Sequence, residues 1–153
     1  MKRRMLFFAA AAVAALTVTG VALAAVNFHN VTSVDNGLTL TVSGKLTGLG
    51  NTDLTVVLSA TGVPTATCTN RGGTQAPGQN PATVNLEGTL NIDADEIKNG
   101  TVNFSLTTAA PATPSARDAG CPNGNWTVQI TDIAFTSFTV QVFQPNLVAT
   151  YSG

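Results

Sequence analysis

Trp126-Thr127-Val128-Gln129-Ile130-Thr131 and, a few residues on, Phe138-Thr139-Val140-Gln141-Val142-Phe143-Gln144 decide the fold class. In the first run Trp126, Val128 and Ile130 alternate with Thr127, Gln129 and Thr131. In the second, Phe138, Val140 and Val142 alternate with Thr139 and Gln141. A period of two in β-branched and aromatic residues puts the apolar side chains on one face of a strand, and that face must be covered. Two core strands are therefore expected, separated by Asp132-Ile133-Ala134-Phe135-Thr136-Ser137. The loop Cys121-Pro122-Asn123-Gly124-Asn125 leads into them, and Trp126 is expected in the core.

The same pattern extends toward the N-terminus. Val26–Val31 reads as a first strand. Asp35-Asn36-Gly37 reads as a tight hairpin turn, because Asn-Gly accepts positive φ. Leu38, Leu40 and Val42 begin a second strand running to Thr47, in which Gly44 marks a bulge. Leu54, Val56, Leu58 and Ala60 form a third strand, broken by Gly62-Val63-Pro64. Thr65–Thr69 is a short fourth strand ending beside Cys68. Asn70–Pro81 is a Gly- and Pro-rich loop. Val84–Ile92 and Val102–Leu106 are the fifth and sixth strands, joined by Asp93–Gly100, which has room for one helical turn. Thr108–Asn125 is the longest irregular segment. Leu147-Val148-Ala149 adds a last edge strand.

No segment after residue 24 keeps a helical period for three turns. About eight short strands with Gly and Pro turns predict an all-β, antiparallel sandwich, immunoglobulin-like or a related Greek key. A small barrel is the alternative. Trp126 follows both cysteines, so the usual immunoglobulin bridge around a Trp is not expected.

Lys2-Arg3-Arg4, the apolar run Met5–Val18 and Ala22-Leu23-Ala24 have the form of a cleaved secretory signal. The apolar run is short against the about 20 residues a membrane span needs. Residues 1–24 are thus expected to be removed, leaving one domain, 25–153, secreted or periplasmic and not inserted in a membrane. No Cys follows the small-residue site, which speaks against a lipid anchor. Beyond residue 24 stand four basic residues, Lys45, Arg71, Lys98 and Arg117, against eight acidic ones, a net charge of −4. No basic cluster exists to attract nucleic acid or anionic lipid. Two cysteines in an exported chain predict one disulfide, Cys68–Cys121, that sets the Asn70–Pro81 and Thr108–Asn125 loops side by side.

With those loops in view, the chain resembles a group of small exported bacterial proteins known mainly as hypothetical proteins. The pieces that carry the resemblance are Val42–Asn51, Cys68-Thr69-Asn70-Arg71-Gly72-Gly73, Ala76–Pro81 and Cys121–Thr127. It implies secretion and a common β fold, and no chemistry.

Catalytic patterns are sparse. The single histidine, His29, sits in a strand, and no Gly-x-Ser-x-Gly elbow accompanies it. Asp93, Asp95 and Glu96 form the one dense acidic cluster. Such a cluster serves as a solvated turn, as oxygen ligands for calcium or as the carboxylate pair of a hydrolase. The calcium-loop pattern Asp-x-Asp-x-Asp-Gly is absent, and the solvated turn is the simplest reading. Four Asn-x-Ser/Thr triplets, at Asn30, Asn99, Asn103 and Asn125, are expected by chance in a Thr-rich chain. The long loops offer Arg71, Gln75, Gln79, Arg117 and Asp118 as a recognition surface, with Arg71 able to pair with Asp118. The expected function is a non-enzymatic module that binds an extracellular or envelope partner or assembles through its sparsely charged sheet edges, with no cofactor unless calcium. The alternatives are a secreted hydrolase using Asp93, Asp95 or Glu96, or a calcium-stabilised module.

Overall fold

Two long strands form the spine. In the computed structural model, which describes residues 25–79 and 81–153, β3 (Leu54–Thr69) and β7 (Thr127–Phe143) pair antiparallel from end to end. The expected signal segment lies outside the described residues. Each spine strand was expected as two shorter ones, and the reasons for the difference are local.

In β3 every second residue is buried: Leu54, Val56, Leu58, Ala60, Gly62, Pro64, Ala66 and Cys68. Gly62 and Pro64 keep the phase instead of breaking it. Pro64 lacks an N–H, so it needs a position where the ladder asks for none. The carbonyls of Thr61 and Thr65 face β7, where they accept from Thr136 and Thr131 hydroxyls. Alternation then points the backbone of Pro64 to the other edge. There β5 (Val84–Ile92) stops at Gly62, and β4 (Gln75–Pro77) starts at Thr67. Pro64 falls in the gap between them.

In β7 the inward residues are Val128, Ile130, Ile133, Phe135, Phe138, Val140 and Val142, each at least half-buried. The spacing slips twice, after Ile130 and after Phe135. The pairing with β3 shifts at the same places, between Thr65 and Ala66 and between Thr61 and Gly62. Each slip is a bulge, an extra residue that turns the following side chains back to the core. Thr131 and Thr136 are the extra residues, and their hydroxyls donate to the Thr65 and Thr61 carbonyls at 3.3 and 3.2 Å. The segment 132–137 is thus part of one strand.

The second sheet runs β5–β3–β7–β8, with β4 beside the far half of β3 and β8 (Leu147–Ser152) at the edge. The first sheet has the order β1 (Asn27–Asp35), β2 (Leu40–Thr47), β6 (Thr101–Thr107). Both are antiparallel, and strands distant in sequence, β2 with β6 and β3 with β7, lie side by side, as in Greek-key connections. Two separate sheets make a sandwich and set aside the barrel. The β1–β2 turn is wider than expected: Asp35 pairs with Leu40, leaving a four-residue loop, and Gly37 takes φ +83°. β1 also continues beyond Val31 to Asp35.

Between the sheets lie Val42, Leu46, Val56, Leu58, Val140 and Val142, all fully buried. Each such side chain contributes about 1.5–3 kcal/mol relative to exposure. Phe28, Phe104, Tyr151 and Phe138 close one side, with ring centroids 5.6–6.1 Å apart. Gly44 makes room for Phe104, its cross-strand partner, and the bulge expected at Gly44 is in β1 opposite, between His29 and Thr32. Trp126 is half-buried and belongs to neither apolar cluster, contrary to expectation. A second cluster of Leu86, Ile130 and Ile133 lies under the far half of the β3–β7 ribbon.

The two sheets meet at one corner. Ala109 donates its N–H to the Glu87 carbonyl at 2.8 Å, and a Cβ on Gly88 would run into the Thr107 carbonyl. Gly124, by contrast, has open space around it. Gly88→Ala should therefore lower unfolding free energy by about 2 kcal/mol, and Gly124→Ala should change it by less than about 0.5 kcal/mol. Urea titration of both variants checks this.

Candidate functional site

β3 carries Cys68, fully buried, near its C-terminal end, and β4 returns beside it through Asn70-Arg71-Gly72-Gly73-Thr74. Asn70 shapes that turn: its side-chain oxygen accepts from the Thr74 N–H at 2.9 Å and its carbonyl accepts from the Gly73 N–H. Gly73 takes φ +83°, a conformation few other residues reach without strain. Arg71 is left exposed at the tip.

The expected disulfide is present: Cys68 and Cys121 are bonded, 53 positions apart in sequence. It draws the 108–125 segment against β4. The Gln79 N–H donates to the Gly120 carbonyl at 3.3 Å, and the Gly78 N–H donates to the Ala66 carbonyl at 2.8 Å. Gly120 takes φ +68°, and a side chain there would strike the Gln79 backbone. The two loops expected to lie side by side do so.

A helical turn inside the long loop escaped the sequence reading. The Ala119 N–H donates to the Ser115 carbonyl and the Cys121 N–H to the Ala116 carbonyl. Ser115 caps it, accepting from the Asp118 N–H at 3.2 Å and donating to the Asp118 carboxylate at 2.6 Å. Ser-x-x-Asp is a cap signature that could have revealed it. Ala116 and Ala119 point inward from this turn and are buried. Asp118 is thus engaged by Ser115, whereas the sequence offered Arg71 as its partner.

All five side chains named from sequence, Arg71, Gln75, Gln79, Arg117 and Asp118, are exposed at this stapled end. Beside them is a hollow of about 110 Å3 walled by Pro64, Pro81, Val84, Pro114 and Ile130, with Asp118 also in its lining. Prolines from three separate segments build it, a juxtaposition that only the fold creates.

The acidic cluster has a structural occupation. Asp93 precedes a 3-10 turn, Ala94–Glu96, the single helical turn the connector had room for. The Glu96 carboxylate accepts from the Asp93 N–H at 3.3 Å. Asp53, from the loop before β3, accepts from the Ala94 N–H at 2.8 Å, and Lys98 donates to the Asp95 carbonyl. Among the described residues, no three His, Cys, Asp or Glu side chains gather as a metal would need. His29 lies on the exposed face of β1, with Nε2 3.0 Å from the Thr47 hydroxyl. No helix among the described residues is long and apolar enough to cross a membrane, which says nothing of β-barrels.

Compared with known proteins, the chain matches no family model, no curated protein and no solved structure.

The staple closes a long loop in the unfolded chain, worth about 4 kcal/mol in the chain-entropy picture. Replacing both cysteines by Ala should lower unfolding free energy by about 3–4 kcal/mol. Limited proteolysis should then cut first within 70–79 and 110–125, while cleavage elsewhere stays slow.

Proposed function

We propose that the chain is an exported, non-enzymatic binding module whose recognition surface is the stapled end of the sandwich. The observation that carries this is the convergence there of two irregular segments on one rigid support. A disulfide, two backbone hydrogen bonds and the paired ends of β3 and β4 fix their relative position. Loops held this way present side chains at little ordering cost when a partner arrives. Arg71, Gln75, Gln79, Arg117 and Asp118 are exposed on that support, and the adjoining hollow supplies concavity.

Export rests on the charged and apolar pattern of residues 1–24, on the disulfide, which persists in oxidising compartments, and on the resemblance to small exported bacterial proteins. The hydrolase reading draws less support. A hydrolase needs two titratable groups converging in a cleft. Here Glu96 caps a turn, and the stapled loops sit at the other end of β3 from Asp53 and that turn.

The purified chain, immobilised and exposed to cell-envelope extract and culture medium, should retain a partner. A variant carrying Arg71→Ser, Gln79→Ser and Arg117→Ser should lose most of it while keeping its melting temperature. Equal retention by both proteins would move recognition away from this end.

A further inference from the structure

We infer that two copies of this chain join through β8, edge to edge about a two-fold axis, into one continuous sheet. The inference is independent of the stapled end. β8 is the outermost strand of its sheet, and none of the described residues pairs with its outer edge. Phe138 and Gly153 exchange both backbone hydrogen bonds, at 2.8 and 3.1 Å. In an antiparallel ladder the backbone groups then alternate sides. Those of Tyr151 and Ala149 face β7, and those of Thr150 and Ser152 face outward. Unpaired outward N–H and C=O groups are a template for another extended strand.

The other edges are each interrupted along part of their length. β1 is kinked by the bulge between His29 and Thr32, where Asn30 takes φ +52°. The edge shared by β5 and β4 is interrupted opposite Pro64, and Ala109 occupies the Glu87 carbonyl. The C-terminal end of β6 turns into that same corner. β8 carries no charge and no proline, and its own bulge lies at its start, next to Val148. The residues from Ala149 to Ser152 remain regular.

The chemistry of β8 also selects the occupant. A strand with no charged side chain meets no like-charge repulsion when placed against itself, and a two-fold contact requires self-complementarity. Of the four exposed large hydrophobics among the described residues, two are on β8: Leu147 at 51% and Val148 at 40% exposure. Placing the axis at Thr150 sets this residue against Thr150 of the second copy, in a pair that exchanges both backbone hydrogen bonds. It also sets Tyr151 opposite Ala149 of the second copy, within the regular stretch, and brings the exposed Leu147 and Val148 to the two ends of the contact. Threonine against threonine is a favourable cross-strand pair.

Sedimentation equilibrium of the chain from residue 25, together with Thr150→Lys and Thr150→Glu variants, tests this. The wild type should dimerise reversibly. Each variant alone places like charges face to face and should weaken dimerisation about tenfold or more. An equimolar mixture of the two variants should recover dimer, because the axis then pairs Lys with Glu. Thr150 is exposed, and circular dichroism of each variant should match the wild type. A wild type that stays monomeric across a wide concentration range would overturn the proposal. So would variants that dimerise like the wild type, or a mixture that fails to recover.

Discussion

The antiparallel pairing of β3 with β7 is the constraint on which the other features rest. It forms the centre of the larger sheet and lays Val56 and Leu58 beside Val142 and Val140, so the deepest part of the core lies along it. It also runs beyond the smaller sheet, and this extension carries Cys68 out to the loops. The seventeen residues of β7 must follow fifteen of β3, Thr55 to Thr69, around a twisted ribbon, and the two bulges in β7 absorb the mismatch. The threonine at each bulge returns a hydroxyl to the opposite carbonyl, so the irregularity costs little hydrogen bonding.

The same economy recurs on the outer faces. Thr41 meets Thr107 and Ser43 meets Ser105, each at 2.8 Å. Thr55 meets Asn91 and Thr61 meets Asn85, at 2.9 and 2.8 Å. Neighbouring strands thus satisfy one another with hydroxyl and amide groups where many proteins use charges. Interactions of this kind are not screened by salt as exposed ion pairs are. Stability that depends on them is accordingly insensitive to ionic strength.

What could be read from the sequence followed from strict alternation. Leu54–Ala60, Val84–Ile92 and Phe138–Phe143 keep their period, and all fall in strands. The cysteine pair and the adjacency of the two loops were equally legible, because a chain with two cysteines offers one pairing. What escaped was continuity. Gly62 and Pro64 carry local signals for a break, yet they occupy buried positions in phase with Leu58 and Ala60. Ile133 and Phe135 are out of phase with Ile130 on one side and Phe138 on the other, and a bulge is invisible until the partner strand is known. At the candidate site, the five polar residues were found from loop composition. The hollow beside them was not, because Pro64, Pro81 and Pro114 meet only after folding.

The long ladder also sets an order of events. β3 and β7 are separated by more than fifty residues of chain, and among the strand pairings of the described residues theirs spans the greatest sequence distance. As synthesis or translocation delivers the chain from its N-terminus, β3 can pair with β5 long before β7 exists. Until Phe143 has emerged, one whole flank of the central strand, sixteen residues long, stays open to any other extended chain nearby. The hazard in this protein's life is therefore the interval before β7 has arrived, and whatever shields the nascent chain must hold on until then.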